Sequence, residues 1–506
     1  MTERHVPGTD LTTADVASLA SVGIDAGEAQ RQLQHLRRAR TAVRLVRPCT
    51  VGDGIVRLSA DQIETYMASG DAVAREGRVS KFVPASGAAT RMFKDLIAAL
   101  QGTARPSTSA AVQEFFTRLD EFPFAVHVRA HAEVDGLPDS EEAERRVLDT
   151  VLTVMRFAEL PKALIPFHHA ERPRTALEEQ LLEATRYTRD AEGCCRVHFT
   201  VPADSRTRVE EELALLLPSI EAEHGVTFDV SLSVQSPSTD TLAIDEHGAP
   251  FRNDDGTLLL RPAGHGALIR NLEQAAGDIV VVKNIDNVVP HEASDDVVRW
   301  KQTLIGCLAQ LQAEVFAHVE AVSNPACGAA AIEAAAACAN VWFGWEITTS
   351  EPGARRMAVL NALDRPLRVC GFVRNEREPG GAPFWVADHD GRVRVQIVES
   401  AQVDMANREQ AAIFDQSTHF NPVDLVCGLR RHDGTPFELD RFVDADAAFV
   451  TEKSAFGRRL VALERPGLWN GGMAGWNTVG VEVPAATFAP VKTVLDLLRP
   501  AHQPSK

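Results

Sequence analysis

The sequence predicts an α/β fold, a three-layer arrangement in which a mostly parallel mixed sheet is covered on both faces by helices. Three observations carry this. From residue 79 onward short apolar runs alternate with amphipathic helical stretches, the order that produces parallel pairing through helical crossovers. The runs KFVPA, CCRVHFTVP, VTFDVSLSVQ and GDIVVVKNIDNVVP are short and rich in β-branched or aromatic residues, as strands are. The last of them ends in polar residues, where an open α/β sheet collects ligand groups.

Taken in order, residues 11 to 45 read as two helices: Thr12 and Thr13 precede an acidic first turn, and AGEAQRQLQHLRRARTAVRLV is amphipathic. They belong to an N-terminal helical extension, residues 1–78. KFVPA is then a short buried strand, and TRMFKDLIAAL opens a helix. Residues 107–158 are mostly helical, with DSEEAERR as a solvated face, and about 95–158 form a helical insertion. LPKALIPFHH is a strand or loop, followed by the helix ALEEQLLEATRYTR, the strand CCRVHFTVP, the helix SRTRVEEELALLLPSIEAEHG and the strand VTFDVSLSVQ. After the strand GDIVVVKNIDNVVP, the alanine-rich GAAAIEAAAACANVWFGW is a helix core, and GAPFWVADHDGRVRVQIVES is a hairpin around DHDG. This order gives a main body over 79–430 followed by a small C-terminal part over 431–506.

Composition narrows the function. Apolar residues make up 45% and charged residues 24% of the 506, the balance of a folded globular protein. A net charge of −18 opposes nucleic acid and anionic membrane as partners, so any phosphate-binding cations must be focused locally. The eight cysteines have no CxxC spacing, which suggests neither a zinc ribbon nor a disulfide framework and makes a reducing cytoplasm the simplest expectation. No apolar leader or membrane anchor is expected.

The stretch VSKFVPASGAATRM places small residues between a strand and a helix. Ser86, Gly87, Ala88 and Ala89 are small enough for backbone N–H groups to approach phosphate oxygens, and Arg91 can pair with a phosphate through two parallel hydrogen bonds. A tight turn that only packs would have the same composition. No GxxxxGK[ST] occurs, so this is not a P-loop.

PASGAATRM resembles the nucleotide-binding loop of nucleotidyltransferases that make sugar nucleotides, with Ala89 in place of that loop's second glycine. Further stretches are similar, in the same order, to elements of the UDP-sugar pyrophosphorylase family. LPKALIPF resembles the Pro-Lys element whose lysine neutralises the triphosphate, here Lys162. SLSVQSP resembles the strand whose glutamine reads the pyrimidine, here Gln235. RPAGHGALIRNL resembles the turn against base and sugar, here Gly264 and His265, and VKNIDNVV resembles the element whose aspartate binds Mg²⁺, here Asp286. VQIVESAQVD and HFNPVDLV are similar to sugar-contacting elements and place Glu399 and Asn421. FAPVKTVLDLL is similar to a segment whose lysine reaches the nucleotide phosphates, here Lys492.

Across its length the chain also resembles the bacterial DUF4301 family, through PASGAATRMFK, KNIDNVVP, FNPVDLVCG and GLWNG. The superfamily resemblance implies the nucleotide-diphospho-sugar transferase (GT-A-like) fold. It also implies Mg²⁺-dependent transfer of a nucleotidyl group from a nucleoside triphosphate, expected to be UTP, to a sugar-1-phosphate. The catalytic cations would be Arg91, Lys162 and Lys492, and the nucleotide would contact Ala85, Ser86, Gly87, Ala88, Gln235, Gly264 and His265. Glu399 and Asn421 would contact the sugar and Asp286 the metal. A glycosyltransferase of the same fold and a weakly catalytic nucleotide-sugar-binding protein are the alternatives. For individual residues, a strand-end cap for Asp286, a snorkelling lysine for Lys162 and an exposed turn residue for His265 compete with these roles.

Overall fold

The apolar run that opens the expected domain is the strand Val79–Pro84, buried from Val79 to Val83. The computed structural model describes residues 10–38, 42–275, 277–376, 380–388 and 390–504. Contacts divide the chain into two compact units with interleaved segments. Met1–Ser59, Gln235–Gln274 and Gln310–Glu482 form the first, and Ala60–Val234, Ala275–Ala309 and Val483–Lys506 the second. Pairing between segments distant in sequence sets this division.

In the second unit, Val79–Pro84 has a parallel neighbour on each side, Ile279–Lys283 with Val281 opposite Lys81, and Cys194–Val201 with Val197 opposite Lys81. Thr227–Val234 continues the parallel run beside Cys194–Val201. The expected order of strands and helices is therefore present, and its α/β class with it. Short helices of the expected insertion bring Phe115, Phe122 and Phe124 into a chain with Phe157, with successive ring centroids 5.0–5.2 Å apart. The helix expected after LPKALIPFHH spans Ala176–Ala184, and all nine of its residues are buried, four of them polar or charged. Each of those polar side chains has at least one partner, as burial requires. Lys81 donates to Glu183 Oε1 at 3.0 Å, Tyr187 donates to the same oxygen at 2.7 Å, and Lys283 forms an ion pair with the other. Burial works against the Glu183 charge, but Lys283 and Lys81 outweigh it and hold the carboxyl well below its usual range.

Glu179, on the same helix, anchors the C-terminal segment: its Oε1 is 3.0 Å from His168 Nδ1, and His168 Nε2 is 2.9 Å from His502 Nδ1. Burial pushes both histidines down to about 3 and Glu179 up to about 8. His168 is thus a buried structural residue, and His169 faces elsewhere, with Nε2 3.0 Å from the Glu121 carbonyl.

In the first unit the helices Thr13–Ser21 and Ala26–Arg37 begin at side-chain caps from Thr12 and Asp25, as the Thr-rich start predicts. The second ends earlier than expected. Residues 39–41 lie outside the described residues, and Arg44–Pro48 is a strand, antiparallel to Ala382–Ala387 with Pro48 opposite Phe384. Tertiary pairing overrides the helical period here: Leu45 is buried against Phe384 and Val398. The extension over 1–78 is therefore not wholly helical.

The hairpin expected around DHDG forms between Ala382–Ala387 and Val393–Val398; its residue 389 lies outside the described residues. The buried strand Leu367–Arg374 runs parallel to Asn477–Glu482 and antiparallel to Asp424–Gly428. A separate four-stranded sheet contains Leu260–Arg261, Thr241–Ile244, Arg458–Glu464 and Phe449–Ala455. Among the described residues no helix is long and apolar enough to cross a membrane.

Candidate functional site

In the second unit four segments far apart in sequence are joined by hydrogen bonds around the loop that follows Val79–Pro84. Ala85 is buried and its N–H donates to the Thr200 carbonyl at 2.9 Å, whereas Gly87 and Ala88 are exposed and Ser86 half-buried. Ala89 opens a 3₁₀ turn, Ala89–Arg91, and donates its N–H to the Leu160 carbonyl at 2.9 Å. Its φ is not positive, so its Cβ costs the turn no backbone strain. Arg91 lies in this turn rather than in the helix, which begins at Lys94. Its guanidinium is exposed and has no hydrogen-bond partner among the described residues.

The Pro-Lys element docks on this loop. The Lys162 N–H donates to the Gly87 carbonyl at 3.3 Å, and Thr90 Oγ1 donates to the Ala158 carbonyl at 2.9 Å. Lys162 Nζ donates to Asp286 Oδ2 at 2.5 Å and to the Val491 carbonyl at 2.7 Å. An ammonium carries three donors, so one stays open for a ligand among the described residues. Lys162 is not a snorkelling residue: its side chain is 13% exposed and its head group is bound.

Asp286 lies beyond the end of Ile279–Lys283, in a turn held from below by Gln180, whose amide donates to the Asn284 carbonyl at 2.8 Å. Its own carbonyl accepts the Val491 N–H at 2.9 Å, and Asn287 Oδ1 accepts the Ala489 N–H at 3.0 Å. These bonds fix the segment carrying Lys492, whose Nζ lies 5.9 Å from the Phe488 ring centre and whose N–H donates to Asp496 at 2.8 Å. The structure therefore brings Arg91, Lys162, Asp286 and Lys492 onto one hydrogen-bonded scaffold. Asp286 is part of no three-residue cluster of His, Cys or carboxylate ligands among the described residues. A single carboxylate suits Mg²⁺ bound mainly through water and substrate phosphates, and does not suit a metal that requires a full protein cage.

The first unit holds a second group. Gly264 has φ +75°, and a Cβ on Gly266 would lie 2.1 Å from the Pro466 carbonyl oxygen, so this turn requires glycine at both positions. His265 between them is not an exposed turn residue. It stacks on Trp469 with ring centres 4.1 Å apart, and its Nδ1 accepts the Leu468 N–H at 3.0 Å. Burial pushes its pKa down to about 4, so the ring is neutral at pH 7. Glu399 pairs with Asn470, and burial raises its pKa. Asn470 Nδ2 in turn donates to the Ile397 carbonyl at 3.1 Å.

Asn421 joins this group through Gly381, whose carbonyl accepts its N–H at 2.7 Å. Its Oδ1 accepts the Val423 N–H at 2.5 Å, and Val423 has φ +59°. A β-branched residue in the left-handed region is strained by about 1–3 kcal/mol, a feature concentrated at functional sites. Asn421 Nδ2 and Asn470 Oδ1 are buried without partners among the described residues, at a cost of about 1–3 kcal/mol each. Gln235 donates its amide to Asp240 at 3.2 Å.

The sequence reading missed Asn470, Trp469, Gly381 and Gln180 as site residues. The motif GLWNG, which carries part of the family resemblance, was a signal for the first two. Nothing in ALEEQLLEATRYTR distinguishes Gln180 from an exposed helix residue.

A family model described as Domain of unknown function (DUF4301) matches residues 12–503. The chain belongs to the DUF4301 family. No curated protein matches it. Among solved structures, it is similar to the uridine diphosphate N-acetylglucosamine pyrophosphorylase of Trypanosoma brucei. The identity is 12%, the TM-score 0.51, and the match covers 96% of this chain and 79% of that one. It also matches UDP-glucose pyrophosphorylase from Leishmania major with 13% identity, TM-score 0.45 and coverage of 98% and 79%. A UDP-glucose phosphorylase from Trypanosoma brucei matches with 12% identity, TM-score 0.46 and coverage of 96% and 77%. The first of these supports a shared fold for this DUF4301 member; at such identities the likeness concerns architecture alone.

Proposed function

We propose that this DUF4301 protein is a Mg²⁺-dependent nucleotidyltransferase that makes a nucleotide sugar, with UTP as the nucleotide donor. A sugar-1-phosphate oxygen attacks the α-phosphorus of the triphosphate; a new P–O bond forms there, and the α–β bridging P–O bond breaks to release pyrophosphate. No covalent protein intermediate is needed, so catalysis rests on positioning and on neutralising charge. Arg91 and the open donor of Lys162 bind oxygens of the β- and γ-phosphates, and Lys492 binds the incoming or α-phosphate. Asp286 would hold Mg²⁺, which when bound supplies further neutralisation of phosphate oxygens. The loop Ala85–Ala88, Gln235 and the Gly264–His265 turn are assigned to the nucleotide, and Glu399, Asn421 and Asn470 to sugar hydroxyls.

The observation that most supports this reading is the Lys162–Asp286 contact. It pairs, in space, the two residues that the resemblance assigned independently to triphosphate and metal. A panel of nucleoside triphosphates against sugar-1-phosphates, followed by pyrophosphate release, tests it. Turnover with one pair is expected. UTP binding without pyrophosphate from any pair would favour a binding protein, and glycosyl transfer from a nucleotide sugar would favour a glycosyltransferase.

A further inference from the structure

A cavity of about 460 Å³ in the first unit is lined by residues of the hairpin end and of the segment around Phe442, and by Arg365 and Arg394. None of the candidate site residues lines it. Arg365 precedes the strand Leu367–Arg374, whereas His419 pairs with Arg374 at the strand's other end, beside Asn421. An eight-residue strand is roughly 25 Å long, so the cavity and Asn421 belong to opposite ends of it.

Both guanidinium groups lie over the Trp345 ring, 4.9 Å from its centre for Arg365 and 5.0 Å for Arg394. The indole is itself fixed by a 3.0 Å hydrogen bond to Asn477 Oδ1. Arg365 donates to the Asn361 carbonyl at 2.6 Å and the Gly475 carbonyl at 2.9 Å, and no carboxylate lies within ion-pair range of it among the described residues. The nearest acids are engaged: Asp388 with Arg394 at 3.1 Å, and Asp364 with Arg431. Among the described residues Arg394 forms one ion pair, that to Asp388, with Asp444 as a more distant counter-charge, and its Nε and Nη1 are buried without partners. At the rim, Arg392 pairs with Asp390 at 2.6 Å, and Arg44, Arg441, Asp444 and Asp446 complete the charged lining. Burial, together with Arg394 and Arg392, pushes the Arg365 pKa down to about 10, as expected for a cation short of counter-charge.

We propose that this cavity binds a small oxyanion-bearing ligand, a phosphate ester or a polycarboxylate, held by Arg365 and Arg394. Two planar guanidinium forks held by one indole suit bidentate contacts to such an anion. The anion would offset the repulsion of two cations gathered in a poorly solvated wall.

Calorimetric titration of the full chain with inorganic phosphate and with citrate tests this, in the unaltered protein and in Arg365→Gln, Arg394→Gln and Lys162→Ala. Binding of at least one anion is expected, weakened tenfold or more by either arginine change and retained in Lys162→Ala, which separates this cavity from the proposed nucleotide phosphates. Preference for phosphate or for citrate assigns the ligand class. Arg365→Lys and Arg394→Lys keep the charge and are expected to bind at intermediate strength, which guards against a Gln variant that misfolds. The proposal is overturned if neither anion binds, or if binding is lost in Lys162→Ala and unchanged in the arginine variants.

Discussion

Lys162 Nζ lies 2.5 Å from Asp286 Oδ2 and 2.7 Å from the Val491 carbonyl oxygen, so one ammonium ties together segments 124 and 329 residues away. The pair is partly exposed, which limits its worth to the fold. Lys162→Met should lower unfolding stability by only about 1–2 kcal/mol. The proposed chemistry should lose far more, about 2–4 kcal/mol of transition-state stabilisation, as for removal of one preorganised donor. Chemical denaturation and initial rates of pyrophosphate release on one preparation check this. Equal losses in the two would make Lys162 a structural residue.

Gly266→Ala places a Cβ 2.1 Å from the Pro466 carbonyl oxygen, so backbone must move. The expected cost is about 1–3 kcal/mol, read as a lower melting temperature, together with weaker UTP binding by calorimetry. Unchanged melting and UTP affinity would show that the turn has room this geometry denies.

Asn470→Ala removes the partner of Glu399 and of the Ile397 carbonyl. The apparent KM for the sugar phosphate is expected to rise about tenfold, about 1.4 kcal/mol, with the KM for the triphosphate nearly unchanged. A rise confined to the triphosphate would contradict placing this group on the sugar.

The Glu179–His168–His502 chain predicts a pH dependence of stability. Both histidines have folded pKa values near 3, below the usual 6.5, so the stability they contribute is complete above pH 6.5 and is lost as pH falls toward 3. Glu179 has the opposite sign: its folded pKa of about 8 exceeds 4.5, so stability falls as pH rises between those values. Each group contributes about 1.4 kcal/mol per pH unit within its window. Two histidines against one glutamate give a net gain up to pH 6.5 and a loss above it. Urea unfolding across pH 4–8 should show the acid limb flattened in His502→Gln, and an unchanged limb would rule the chain out as its source.

The residues proposed to handle phosphate each stand in a short local pattern. Lys162 follows a proline in an apolar run, and Asp286 follows a strand of valines and isoleucine; the family resemblance, not the pattern alone, pointed to triphosphate and metal for them. Their contact with each other was not legible, since it depends on how the strand Ile279–Lys283 and the Pro-Lys turn come together. Ala89 posed a question of backbone conformation that only φ could answer, and the 3₁₀ turn answers it. Arg44–Pro48 kept a helical period and became a strand because a partner strand more than 300 residues away buries Leu45. Asn470 and Gln180 were missed for a related reason: their roles are hydrogen bonds to carbonyls of distant segments, which leave no local signature.

The most direct test of the central claim is pyrophosphate release by Asp286→Ala beside the unaltered protein, with UTP, Mg²⁺ and the best sugar-1-phosphate from the panel. The account predicts turnover in the unaltered chain and a fall of at least a hundredfold, about 2.7 kcal/mol, in the variant, with its circular dichroism spectrum unchanged. Equal turnover in a folded Asp286→Ala protein would contradict it.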